Sequence, residues 1–554
     1  MATAMVTGMA MVTGMAMVRQ MALERLRCAR GAGRRWMRVA SDARSGGVGR
    51  GDRRRLEVSV SWFGCALMCL AIPAHAEKWQ ITPVIAVNET LTNNVFLSST
   101  DPTSDLVTAV TPGISIDGKG ARASLRLNYG LTQYLYAHES ASNNRQNALT
   151  ATGTVEALED WLFIDATGTI SQQYLSAFGK VAPSSANVDN NRTETSNYSI
   201  SPYVKGRFLA STEYFLRYTA STTSSKSNLA SDFTTNQWVG RINGLTRFSA
   251  VTWSLDASKV NTDYDVGRDR NDTRYGATLA YRFNPQLQVS LIGGRETTNL
   301  VSLQDETHGD SGFGLLWTPS PRTKLEATAT RRFFGNGYQV GFSHRMPRSL
   351  VTYTASRNVS YQPQGVGNTG QGSNYDAYYS IIAASNPGLS PDAIRAQVTQ
   401  VLQDRGVPAD GSVVNGFLAN RPTLQEYQQI SLALLGVRNT VTLTATENEQ
   451  QPLGVVSGLT DDFSLNNRIR QRGFGVVWGH QLTGFSSLSL SLNQQQSVGF
   501  TAGSPDTKTQ GAYLLLTSRV SPKTNANMTV RRVISDGVTS YSESALTGGL
   551  SHSF

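Results

Sequence analysis

The last fourteen residues, Tyr541 to Phe554, read YSESALTGGLSHSF. Counting back by twos from Phe554 collects His552, Leu550, Gly548, Leu546 and Ser544, and the other set is Ser553, Ser551, Gly549, Thr547 and Ala545. An apolar-leaning face thus alternates with a small, polar one, which is the period of a strand and not of a helix. A strand that closes a barrel in lipid needs this pairing of faces and no helix-forming run. An ordinary edge strand that happens to end in Phe reads the same way, so the rest of the chain decides.

The same alternation recurs upstream. Leu125, Leu127, Tyr129, Leu131 and Leu135 interleave with Arg126, Asn128, Gly130, Thr132 and Tyr134. Tyr275, Ala277, Leu279, Tyr281 and Phe283 interleave with Arg274, Gly276, Thr278, Ala280 and Arg282, and Leu488, Leu490 and Leu492 with Ser487, Ser489, Ser491 and Asn493. A water-soluble sandwich would show this too, so the connectors matter more. About twenty-two strands, within a range of roughly 16 to 24, are joined alternately by short and long connectors. The short ones, such as Asn284-Pro285, Ser320-Pro321, Met346-Pro347, Thr483-Gly484 and Ser521-Pro522, carry tight-turn residues. The long ones are polar: 91–104, 138–145, 173–193, 221–234, 264–271, 298–308, 361–422, 448–462, 496–506 and 534–540, with the Gly335–Gly337 hairpin as a short member of this class. Strict alternation puts every turn at one rim and every loop at the other, the plan of an antiparallel up-and-down transmembrane β-barrel with short periplasmic turns. The fold expected is all-β, with strands of about 10 residues.

On this plan the terminal strand runs down from the outer face and pairs with Lys78–Thr90. Thr547, Gly549, Ser551 and Ser553 then face the lumen, and Leu546, Leu550 and Phe554 face lipid. Those three resemble the closing-strand signal that the barrel assembly machinery reads. His552 and Gly548 sit where that signal prefers apolar or aromatic residues. Trp79, Tyr136, Trp161, Tyr203, Phe283, Trp317, Phe485 and Phe554 fall near strand ends and are read as an interfacial aromatic girdle.

The front of the chain is different. Residues 1–50 repeat MVTGMA at Met5 and Met11 and then turn Arg- and Gly-rich, and they read as disordered upstream sequence translated from a start codon placed too early. Arg53, Arg54 and Arg55, the apolar run Val58–Ile72 and Ala74-His75-Ala76 make a signal peptide over 51–76. Cleavage after Ala76 leaves residues 77–554. The leader holds 12 Arg and 4 acids, a net +8 of the whole chain's +10, so the barrel keeps +2 and its charge gives no argument for nucleic acid. Cys28, Cys65 and Cys69 all fall in the leader, which leaves no thiol site in the barrel.

Within 361–422, Ser390-Pro391-Asp392 opens a helix, Ile394, Val398 and Val401/Leu402 make its apolar stripe, and Gly406 with Pro408 ends it. This one short helix enters the lumen as a plug, caps the outer mouth, or packs on its own barrel rim without gating anything.

After Ala86 the chain reads VNETLTNNVFL, then LVTAVTPGISIDGKGARASLRLNYGL, then VEALEDWLFIDATGTISQQ, and later RNTVTLTATENE. These segments resemble the outer-membrane β-barrel family associated with the PEP-CTERM/exosortase system. The resemblance implies an outer-membrane protein of Gram-negative bacteria tied to exopolysaccharide production. It carries over no catalytic or binding residues.

Arg126, Glu156, Asp165, Asp256, Arg274, Arg282, Lys324 and Arg332 are expected to point into the lumen, where charges either steer a sugar chain or fill the space in pairs. Five histidines lie beyond the leader, none in a metal-binding spacing. His138 beside Glu139 and His308 beside Glu306 read as solvated pairs, although a surface hydrolase would use them. No catalytic, metal or cofactor site is expected. The partners expected are outer-membrane lipid, the assembly machinery and polysaccharide, bound by a monomer. The alternative to a channel is a structural or adhesion barrel working through its loops.

Overall fold

A computed structural model of the chain describes residues 78–209, 211–360, 379, 394, 398, 414–454, 461–501 and 503–554. Twenty-two strands form one antiparallel sheet, from β1 (Lys78–Thr92) to β22 (Tyr541–Ser553). Each strand pairs with its sequence neighbours, and β1 pairs with β22, so the sheet closes on itself. Closure is what lets such a sheet stand in lipid, because no backbone edge is left unpaired.

The closing seam has the register read from the sequence. Leu550 faces Val87, Leu546 faces Leu91 and His552 faces Ile85, all on the exterior, while Thr547 faces Thr90 and Gly549 faces Asn88 inside. Leu546, Leu550 and Phe554 are exposed on the outer surface. His552 lies outward at the turn rim, with Phe554 edge-on to its ring at 4.9 Å. The exterior is a band of Ile81, Ile85, Leu255, Leu279, Leu291, Phe313, Ile430 and Leu443, all exposed. Such a surface is stable only against hydrocarbon. The chain is a transmembrane β-barrel of the outer-membrane type.

The strands run from 10 residues in β13 (Thr323–Arg332) to 18 in β6 (Arg192–Leu209), longer than the bilayer requires. The excess lies toward the loop rim. On β17 (Asn439–Pro452) the exterior set passes from Val441, Leu443 and Ala445 to Glu447 and Glu449, which pair with Arg472 at 2.6 Å and Arg470 at 2.9 Å on β18 (Ile469–Gln481). A ladder of paired charge on the outer surface marks where the strands leave the membrane.

Six of the eight girdle aromatics lie on the exterior or in turns. Trp79 packs over Gly118, where any Cβ would stand 2.2 Å from the indole. Tyr136 and Tyr203 are corrections. Tyr136 pairs with the inward Val107 and is buried, and Tyr203 pairs with Phe163 and Arg217 on the lumen face. Aromatic rings favour any strand, and the parity of their neighbours decides the face. The tip of the β13–β14 hairpin is Phe333-Phe334, not Gly335–Gly337, because β14 already begins at Gly335. Within 361–413 only Tyr379, Ile394 and Val398 are described. All three are helical, and Ile394 and Val398 are buried, as a stripe with a four-residue step requires. The rest of the expected helix lies outside the described residues, as do the leader and signal peptide.

Candidate functional site

All eight charged residues expected in the lumen are on the inward face, and most are paired across strands. Arg126 meets Asp117 at 3.3 Å and Asp256 meets Arg241 at 2.6 Å, while Lys324 meets Glu326 at 2.9 Å along its own strand. Arg274 reaches Asp310 at 2.6 Å, two strands away, and Arg332 grips both oxygens of Glu296 at 2.5 and 2.9 Å. Asp165 takes Arg217 at 2.8 Å and the Thr154 hydroxyl at 2.9 Å. Glu156 is turned to the rim, where it accepts the Asp160 amide of the β4–β5 turn. Arg282 stands near the turn rim in a concavity of about 660 Å³ that also takes in Arg207, Glu213 and Gln288. A second concavity of about 380 Å³ lies along the same wall, between Arg241, Asp256, Arg274 and Arg332.

Burial sorts these pairs by height. Toward the turn rim Arg207–Glu213 is 71% and 50% exposed. Toward the loop rim Arg332–Glu296 is 9% and 1% exposed, and Arg531–Glu543 5% and 0%. The outer half of this lumen is therefore filled.

Two loop segments do much of the filling. Residues 175–191, between β5 (Leu162–Tyr174) and β6, set Ala177 and Phe178, Ala182, and Ala186 into three separate apolar clusters. Val188 donates its amide to Val95 O at 2.9 Å, and the Tyr136 hydroxyl donates to Ala186 O at 3.1 Å. Asn187 donates to Glu543 Oε1 at 2.9 Å, the same buried carboxylate that Arg531 and Thr92 hold. Residues 414–420 cross the mouth. Phe417 forms a parallel bridge with Tyr174 on β5, yet Asn415 binds Gln495 and Gln471 on β19 (Ser486–Gly499) and β18. Two residues of separation link β5 to strands eight and nine places away around the wall, so this segment lies across the lumen.

The short 3-10 turn at Asp462–Ser464 ties the two loops together: Asp461, its N-cap, accepts the Asn420 amide at 3.2 Å, and Asp462 holds the 175–191 loop. Asp462 accepts from Ser176 Oγ at 2.8 Å and Ala177 N at 2.7 Å. Burial pushes its carboxyl up from the ordinary value, against those two hydrogen bonds, which pull it down. A carboxyl raised in the folded state contributes stability that is full below the unfolded value and is lost as pH rises through the folded one. The 175–191 loop is thus expected to loosen as pH climbs through that raised value, and Asp462→Asn to flatten the dependence. Amide hydrogen exchange of 175–191 across pH, with the solvent exchange rate divided out, measures both.

The lumen has two unlike walls. The inward faces of β16 (Thr423–Leu435) through β19 carry Thr, Ser, Asn, Gln, Tyr, Gly and aliphatic residues and not one charge. Across the barrel, on β5 to β7 (Thr212–Ser225), lies a feature of which only Tyr203 was expected, and that at the lipid interface. Phe163 stacks on Tyr203 at 5.1 Å with planes 13° apart, and Phe215 follows at 5.7 Å. The Lys205 ammonium lies 4.3 Å from the Phe163 ring and the Arg217 guanidinium 4.4 Å from Tyr203. This is a lumen-facing aromatic strip edged by cations and by Asp165. Its signal was the shared odd parity of Tyr203, Lys205 and Arg207.

No protein-family model and no curated protein matches the chain. Among solved structures it is similar to many barrels, of which three follow. One is the siderophore receptor PirA from Acinetobacter baumannii, with 9% identity and TM-score 0.48 over 86% of this chain and 80% of that one. Another is the FrpB iron transporter from Neisseria meningitidis, with 8% identity and TM-score 0.47 over 85% and 81%. A mutant of the ferric enterobactin receptor from Pseudomonas aeruginosa shares 10% identity at TM-score 0.45 over 86% and 80%. At this level the cargo of those proteins says nothing about the cargo of this one.

The two loop histidines sit in local carboxylate pairs. His138 Nδ1 meets Asp105 Oδ1 at 3.1 Å instead of pairing with Glu139, because Asp105 also gathers the amides of His138 and Glu139 into the turn. His308 pairs with Glu306 at 3.4 Å, as expected. Among the described residues no serine or threonine hydroxyl is bonded to either ring.

Proposed function

We propose that the barrel is an outer-membrane passage for a hydrophilic saccharide chain, closed at its outer mouth by its own loops. The observation that carries this reading is the Phe163–Tyr203–Phe215 strip inside the lumen. These half-buried rings offer an apolar edge on the lumen side for the C–H face of a sugar, while neighbouring polar groups take its hydroxyls. The sequence resemblance to exosortase-associated barrels makes exopolysaccharide the cargo we favour. Export behind a signal peptide cleaved after Ala76 belongs to this proposal.

Planar-bilayer recording tests it. With the mouth opened by loop deletion, soluble fragments of a neutral polysaccharide should interrupt the current. Tyr203→Ala should shorten the interruptions by about two- to tenfold, the worth of one aromatic contact of roughly 0.5–1.5 kcal/mol. Interruptions of unchanged length in Tyr203→Ala would exclude the strip, and an absence of any interruption would exclude the saccharide.

A further inference from the structure

Two hairpins at the turn rim repeat one arrangement on the lipid-facing side. Ser320-Pro321-Arg322-Thr323 joins β12 (Glu306–Ser320) to β13, and Ser521-Pro522-Lys523-Thr524 joins β20 (Asp506–Ser521) to β21 (Thr524–Asp536). Both follow a break in strand register, between Trp317 and Ser320 and between Arg519 and Ser521. In each the serine hydroxyl donates to the threonine, at 3.2 and 2.9 Å. In each the threonine oxygen then lies 2.9 Å from the Nδ1 of a histidine on the following strand, His344 of β14 (Gly335–Met346) and His552 of β22. Eight strands separate the two copies.

The register puts both imidazoles outside the barrel. His344 shares the parity of Phe342, whose partner Leu325 faces lipid opposite Trp317, and His552 shares that of Leu550. The relay of hydroxyls has a chemical result. A serine that donates to threonine leaves the threonine proton free for Nδ1, and in that tautomer the imidazole carries its own proton on Nε2. That N–H is a donor on the outer surface. The adjoining cation, Arg322 or Lys523, is exposed beside it. Turns of this rim lie at the periplasmic-side headgroups.

We infer that each Ser-Pro-(Arg/Lys)-Thr hairpin with its histidine seats the phosphate of an anionic phospholipid of the periplasmic-side leaflet. The cation supplies charge, Nε2–H a directed hydrogen bond, and the neighbouring Trp317 or Phe554 an apolar edge for the glycerol region. A third hairpin serves as an internal contrast. Arg438-Asn439 stands in the same place and His480 Nδ1 lies 2.8 Å from Asn439 Oδ1, but the Trp478 indole also donates to that oxygen, at 3.1 Å. The oxygen is an acceptor, so His480 spends its proton on Nδ1 and turns a lone pair outward, the wrong polarity for phosphate.

The test uses the full chain purified into mixed micelles holding equal phosphatidylglycerol and phosphatidylcholine, with retained lipid counted by native mass spectrometry. Wild type is expected to retain up to two phosphatidylglycerols in preference to phosphatidylcholine. R322Q with H344F should remove one and K523Q with H552F the other, each weakening retention about tenfold, the worth of one charge-assisted hydrogen bond. H480F should change nothing. Heat-modifiable mobility on gels confirms that each variant is a folded barrel. Equal retention of the two lipids by wild type, or wild-type retention by the folded four-residue variant, overturns the inference. An H480F loss as large as that of H344F overturns the argument from the hydroxyl relay.

Discussion

Arg531→Ala is expected to unlatch the 175–191 loop and give the closed barrel a frequently open state. Arg531 donates to both oxygens of Glu543, at 2.9 and 2.7 Å, and the same carboxylate accepts from Asn187 and Thr92. Neither charged side chain is more than 5% exposed. Removing one partner of a buried pair leaves the other charge stranded and costs about 3–5 kcal/mol. Here that cost falls on the loop, because water reaches Glu543 only if Asn187 moves away. The barrel wall should survive, since its hydrogen-bond ladder closes without this pair. The open fraction should rise by a factor on the order of 10² to 10³. Single-channel recording reads this as new openings, and hydrogen exchange reads it as faster exchange confined to 175–191 and its contacts on β1 and β22. Replacing both partners, Arg531→Met with Glu543→Gln, should restore most of the closure, because no charge is then left buried. An Arg531→Ala barrel as silent as wild type would show that the latch does not govern the mouth.

The parts of this structure that the sequence disclosed are those governed by parity and punctuation. Leu546, Leu550 and Phe554 could be placed on the lipid side because a strand has only two faces and one of them must be apolar. The inward setting of Arg126, Asp256 and Arg274 followed from the same rule. Their partners did not, since Arg274 reaches Asp310 across an intervening strand and register is a tertiary quantity. The aromatic strip was within reach: Tyr203 has the parity of Lys205, and weighing position along the strand above parity put it in the girdle. The plug was not. Ala177, Ala182 and Ala186 sit in a polar stretch with no period, and small apolar residues in a loop do not reveal which surface they will meet. Only the closed wall gives Ala182 and Ala186 one, on β2, β3 and β20 to β22, while Ala177 meets Phe417 and Phe463 from the other loops.

Deletion of residues 176–190, with a short Gly-Ser turn joining β5 to β6, should have the larger and permanent effect. Barrels of 16 to 18 strands already leave an aqueous channel, and one of 22 conducts little only when its lumen is filled. The deletion removes the three apolar anchors at Phe178, Ala182 and Ala186, the Asn187 contact to Glu543 and the Ser176–Asp462 tie that holds the second segment. Residues 414–420 keep Asn415 on Gln495 and Arg421 on Asp461, so they should stay on the β18–β19 side but lose the Phe178 packing beneath Phe417. Steady conductance without gating is the expected record, together with sensitivity of expressing cells to large hydrophilic antibiotics. The comparison with Arg531→Ala separates two ideas of the closure. If the loops are a latch, the point variant flickers while the deletion stays open. If residues 414–420 alone block the passage, both remain silent, and the barrel's work then belongs to its surface loops, as an adhesion role would require.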